Sequence, residues 1–126
     1  MTERPRAFEV VDAGLRGAPG VAVRGEVDIA AAPLLEQALD AGIRASTGAF
    51  VIDLSDADFM DSSGLAVILR ARALLGREDR AVAIVCGPGP VRRLFELAGV
   101  ADLLYLYESR EEAAAALVPA DAPRRG

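Results

Sequence analysis

The chain has 126 residues, roughly one domain's worth, and 52% of them are apolar, enough for one core but with no run long enough to cross a bilayer. Its net charge of −5, with arginine supplying all 14 basic residues, argues against a nucleic-acid partner, which needs clustered basic side chains. There is no histidine and no lysine to serve as base for a serine nucleophile, and the opening Met1-Thr2-Glu3-Arg4-Pro5-Arg6 lacks the apolar segment of a signal peptide, so a cytoplasmic protein with no membrane partner is expected.

Residues 1–6 and 118–126 read as disordered tails around a single domain over 7–117. Residues 7–11 predict a strand, Gly17-Ala18-Pro19-Gly20 a turn, and 21–25 a second strand with alternating Val21, Val23 and Gly25. So short a connection predicts an antiparallel hairpin. Asp28 is placed to cap a helix, with Pro33 in its first turn and Leu35, Leu39 and Ile43 at helical spacing. Residues 49–54 are apolar except for Asp53, the pattern of a central strand covered on both faces. The acidic Ser55-Asp56-Ala57-Asp58 reads as a turn, and residues 64–75 as a second long helix stopped by Gly76.

Residues 81–86 predict another buried strand, and Gly87-Pro88-Gly89-Pro90 a turn. A short helix over 91–98 ends at Gly99, and 103–107 reads as an edge strand. Ser109-Arg110-Glu111-Glu112 is a capping box opening a last helix through Leu117. Alternation after the hairpin implies parallel neighbours joined by right-handed crossovers. The expected fold is α/β: a mixed four- to five-stranded sheet with an N-terminal antiparallel hairpin and about four helices.

Sites in such sheets gather where strands hand over to helices. Two handovers carry polar residues, Gly25-Glu26-Val27-Asp28 and Asp61-Ser62-Ser63-Gly64. The paired serines open a helix, where free N–H groups favour an anion. One serine could simply cap the helix; a phosphorylated serine there would change a surface already crowded by Asp56, Asp58 and Asp61. Autonomous hydrolysis is disfavoured, since the Gly-x-Ser-x-Gly elbow is missing as well as the base. A Mg²⁺-dependent receiver would need an acidic pair after the first strand and a lysine later. Only Asp12 follows Val10-Val11, and a solvated acidic turn is the simpler reading. Gly87-Pro88-Gly89-Pro90 lacks the Gly-Lys-Ser/Thr of a phosphate loop, and its prolines remove donors. The lone Cys86 excludes an internal disulfide and reads as a small buried hydrophobe, with no basic neighbour in sequence to lower its pKa.

Gly25-Glu26-Val27-Asp28, Val51-Ile52-Asp53-Leu54-Ser55 and Phe59-Met60-Asp61-Ser62-Ser63-Gly64-Leu65 together resemble the STAS domain of bacterial anti-sigma factor antagonists. Val91-Arg92-Arg93-Leu94-Phe95-Glu96-Leu97-Ala98-Gly99-Val100 resembles that family's closing helix. The resemblance implies a binding protein rather than an enzyme, with Ser62 accepting phosphate from an anti-sigma factor that is itself a serine kinase. ATP and Mg²⁺ would belong to that kinase, so no cofactor or metal is expected here. The unphosphorylated chain would bind the anti-sigma factor and free a sigma factor; phosphate would release it, and a serine phosphatase would reset it.

Partner-facing roles then fall to Asp28, Asp61, Ser63, Gly64, Phe59 and Met60. Asp28 would contact the partner or cap its helix. Asp61 would orient the loop or the kinase's approach, or only set turn geometry. Ser63 would cap the helix, and Gly64 would admit the partner closely or supply backbone freedom. Of Phe59 and Met60, one is expected buried and one exposed. The alternative within the same family is a scaffold subunit of a signalling assembly or of a transporter complex.

Overall fold

The computed structural model describes residues 7–121. Strands β1 (Glu9–Asp12) and β2 (Gly20–Val27) form the expected hairpin. The chain continues through α1 (Ala32–Arg44), β3 (Phe50–Met60), α2 (Ser62–Arg77), β4 (Val82–Val85), α3 (Pro90–Leu97), α4 (Ala101–Leu104), β5 (Leu106–Tyr107) and α5 (Arg110–Asp121). The sheet order is β1-β2-β3-β4-β5, antiparallel only between β1 and β2.

After the hairpin, each crossover steps one strand the same way across the sheet. Right-handed crossovers in one direction must lay their helices on one face. The larger core shows this: Leu35, Leu39 and Ile43 of α1, Leu65 and Ile68 of α2, Phe95 of α3 and Leu104 of α4 meet Val23, Ile52 and Ile84 of the sheet. The opposite face has a smaller core, where Ala113 and Leu117 of α5 cover Val51, Ala83 and Val85. Phe50 to Leu54 are buried throughout, as a strand covered on both sides requires.

The acidic segment predicted as a turn is instead the second half of β3. Its register against β2 slips twice, between Ala22 and Arg24 and between Gly25 and Glu26. Each slip gives β3 one extra residue, so the side chains that reach the larger core are Phe50, Ile52, Leu54, Ala57 and Met60, at steps of two, two, three and three. Strict alternation is lost over Ser55 to Phe59, and with it the sequence signal for a strand. This half pairs with β2 alone, since β4 stops opposite Asp53.

Three other expectations need correction. Gly76 does not end α2; the left-handed residue is Asp79 (φ 58°), with Asp79 N–H donating to the Gly76 carbonyl and Arg80 N–H to that of Leu75. Residues 103–107 divide, because Leu104 is buried as the last residue of α4 and Tyr105 turns left-handed before the two-residue β5. Among the described residues there are thus five helices, where about four were expected. Helix α5 runs to Asp121, past the Leu117 end read from sequence. Of the expected tails over 1–6 and 118–126, residues 1–6 and 122–126 lie outside the described residues.

Candidate functional site at the β2–α1 and β3–α2 junctions

Val27 and Met60 are register partners at the ends of β2 and β3, and Asp61 N–H donates to the Val27 carbonyl at 3.2 Å. The segment after β2 and the start of α2 therefore lie side by side. Asp28 folds the first of them. Its Oδ1 accepts from Ala30 N–H (3.1 Å) and Ala31 N–H (3.0 Å), and its carbonyl accepts from Ala31 and Ala32. Asp28 thus caps a turn leading into α1, and that turn holds Ile29 outward with 77% of its surface exposed.

The cap of α2 is Asp61, not Ser63. Asp61 Oδ1 accepts from Ser63 N–H at 2.9 Å and Gly64 N–H at 3.4 Å, and the Ser63 hydroxyl donates to the same oxygen. The reason is geometric: Asp61 has the extended backbone of a capping residue, while Ser62 and Ser63 already lie in the helix. The Ser63 hydroxyl holds the Asp61 carboxyl below its ordinary value, against a smaller opposing push from burial. Ser62, the first helical residue, is exposed, and its hydroxyl makes no hydrogen bond among the described residues.

Gly64 faces inward. A Cβ there would lie 2.7 Å from Met60 Cγ and 2.8 Å from Val27 Cγ1. Glycine is needed so that α2 can sit close on the strand ends. Met60 is buried beneath it, whereas Phe59 is 44% exposed. Gly64 and Met60 therefore shape the site from below, and Asp28, Asp61, Ser62 and Phe59 reach its surface.

Sequence reasoning missed Ile29 and Leu34. Both are exposed large apolar residues beside this end of α1, and both stand out of phase with the buried Leu35-Leu39-Ile43 stripe, which was the available signal. Ile29, Pro33 and Glu36 of the first junction and Ser63, Ala66 and Arg70 of α2 line a groove of about 360 Å³. Arg70 closes its far end by pairing with Glu36 at 2.8 Å and Asp40 at 3.4 Å. A larger cleft of about 590 Å³ between β1 and the C-terminal half of α1 involves none of the residues of the two junctions.

The four aspartates of β3 and its end do not converge. Asp53 is buried on the α5 side, where Ser55 and Arg110 bind it, while Asp56 and Asp58 are exposed further along the strand. Among the described residues, no three acidic, histidine or cysteine side chains are gathered to hold a metal ion. Cys86 is buried, and desolvation pushes its thiol up to about 11. Helix α3 does bring a cation near, since Arg92 Nη1 donates to the Cys86 carbonyl at 2.7 Å, but burial outweighs it. No helix among the described residues is long and apolar enough to cross a membrane.

With this geometry established, comparison with known proteins places the chain. The family model described as STAS domain matches residues 13–113. The anti-sigma-B factor antagonist of Staphylococcus aureus strain NCTC 8325 is 31% identical over 91 residues, covering 72% of this chain and 84% of that protein. The crystal structure of an anti-sigma factor antagonist from Mycobacterium paratuberculosis superposes with a TM-score of 0.80 at 33% identity, covering 87% of this chain and 93% of that one. SpoIIAA, an anti-sigma factor antagonist and Bacillus cell fate determinant, shares the fold. Its unphosphorylated form gives a TM-score of 0.71 at 20% identity over 93% of this chain and all of that one. Its phosphorylated form gives 0.65 at 19%, over 88% and 99%. A one-way parallel sheet behind an N-terminal hairpin, an exposed serine at the start of α2 and these similarities agree: the chain belongs to the STAS domain family, with the anti-sigma factor antagonists.

Proposed function

We propose that this chain is an anti-sigma factor antagonist switched by phosphorylation of Ser62. In its unphosphorylated form it binds an anti-sigma factor that is also a serine kinase, and so frees a sigma factor. The kinase brings ATP and Mg²⁺ and transfers phosphate to Ser62; a serine phosphatase removes it. This chain supplies an acceptor and a surface, not catalysis, which suits a molecule with no histidine or lysine.

The observation that carries this reading is the position of Ser62: exposed, unbonded among the described residues, and first in a helix beside the exposed Ile29 turn. A phosphoryl group there adds about −1.5 to −2 charges on a face that already presents Asp28 and Asp61. The helix end tolerates that charge, while a partner carrying bound nucleotide would be repelled. A penalty of about 2–4 kcal/mol would weaken binding roughly 30- to 1,000-fold, with no refolding.

Intact-mass spectrometry of the protein from its native host, beside Ser62→Ala, tests the reading. A mass increment of one phosphate in the wild type, absent from the variant, supports it. No increment in any growth state, with Ser62→Ala and Ser62→Asp binding partners like wild type, would leave a constitutive scaffold.

A further inference from the structure

The adjacent serines are chemically alike but held differently. Ser62 is exposed, and its hydroxyl has no partner among the described residues. Ser63 is half-buried, lines the α1–α2 groove with Ile29 and Pro33, and donates its hydroxyl hydrogen to Asp61 Oδ1. That same oxygen accepts the Ser63 and Gly64 N–H groups, so one carboxylate oxygen fixes both the helix start and the second serine.

Resting on Ser62 phosphorylation as proposed above, we infer that Asp61 is the specificity-determining residue of this serine pair: by holding the Ser63 hydroxyl in a hydrogen bond, it leaves Ser62 as the sole acceptor. The transfer attaches Ser62 Oγ to the γ-phosphorus of the nucleoside triphosphate. The bond from that phosphorus to its bridging oxygen breaks, nucleoside diphosphate leaves, and the hydroxyl proton passes to a base of the kinase. In-line attack needs an oxygen free to turn towards the γ-phosphate. Ser62 has that freedom; Ser63 would first have to break its bond to Asp61.

A short Ser63–Asp61 contact could instead be read as activation, with Asp61 as general base. The charge state argues otherwise. A carboxylate stabilised by three hydrogen bonds, with its affinity for protons lowered, is a poorer base than an ordinary one. The contact restrains Ser63 rather than arming it.

The test maps phosphate by tandem mass spectrometry on full-length variants expressed in the native host. Wild type is expected to carry phosphate on Ser62 alone, and Ser62→Ala none. Asp61→Ala should distribute phosphate over Ser62 and Ser63, and the double variant Asp61→Ala/Ser62→Ala should carry it on Ser63. Loss of the cap could unfold the start of α2, so Asp61→Ser is made in parallel. It keeps a capping oxygen but removes the carboxylate, and it should shift phosphate to Ser63 in the same way. Site identity is a readout that a purely structural cap would not move. If Asp61→Ser and Asp61→Ala stay phosphorylated on Ser62 only, and the double variant carries none, the inference is overturned while Ser62 phosphorylation stands. A wild-type chain phosphorylated on Ser63 would also overturn it. A wild-type chain without phosphate in any growth state would remove the parent reading as well.

Discussion

Arg110, in the first turn of α5, donates from Nη1 to Asp53 Oδ2 at 2.8 Å, reaching the centre of β3 from 57 residues further along the chain. Its Nη2 donates to the Gly14 carbonyl, also at 2.8 Å. One guanidinium therefore ties the last helix to the middle strand and to the turn after β1. Asp53 Oδ1 is satisfied separately by Ser55 N–H (2.9 Å) and the Ser55 hydroxyl (2.6 Å).

The first prediction concerns this tie. Arg110→Ala should cost about 2–3 kcal/mol by urea unfolding, because it removes a charge-assisted bond and leaves a buried carboxylate oxygen without its partner. Burial raises the proton affinity of Asp53, but the bonds from Ser55 and Arg110 more than offset it, so its folded pKa is depressed. The stability it contributes is complete above its unfolded pKa, about 4, and is lost as pH falls through the lower folded value. Unfolding followed from pH 6 to pH 2 should show a steeper loss in wild type than in Arg110→Ala. Equal slopes would mean that the pair contributes nothing to acid sensitivity.

Two glycines of α2 should respond oppositely to alanine. Gly64→Ala forces a methyl to within 2.7 Å of Met60 Cγ and should destabilise by about 1–3 kcal/mol. Gly76 lies inside the helix, and a Cβ added there would meet nothing within 4 Å, so it should gain about 0.5–1 kcal/mol as alanine. Chemical denaturation of both variants checks this. Destabilisation by Gly76→Ala would contradict the helix continuing to Arg77.

The exposed apolar residues beside Ser62 should matter for binding and not for folding. Ile29→Ala and Phe59→Ala should each weaken association with the anti-sigma factor by about tenfold or more, while the thermal midpoint moves by no more than about 2 °C. Titration calorimetry and a melting curve on the same samples separate the two effects. Unchanged affinity in both variants would move the contact surface elsewhere.

Much of this was legible in the residues. The hairpin, the buried first half of β3 and the helical stripe of α1 carry strong periodicity, and the run from Phe59 to Leu65 marks the site. The second half of β3 was not legible, because two register slips erase its alternation and its aspartates look like a turn. The cap was misassigned to Ser63 because Asp, Ser and Ser are all good capping residues; only backbone geometry separates Asp61 from the serines. The role of Gly64 depends on Val27, a residue 37 positions earlier, which no local pattern displays. Asp53 did give a signal: a lone carboxylate in an apolar strand requires a partner. Nothing local pointed to Arg110 as that partner.

If Ser62 is the switch, phosphate on it must end partner binding. The decisive quantity is the affinity of the anti-sigma factor for this protein with and without phosphate at Ser62, measured by calorimetry at one salt concentration. Tight binding is expected for the unphosphorylated form and for Ser62→Ala, with a loss of roughly 30- to 1,000-fold on phosphorylation. Equal affinities for the two forms would refute the switch.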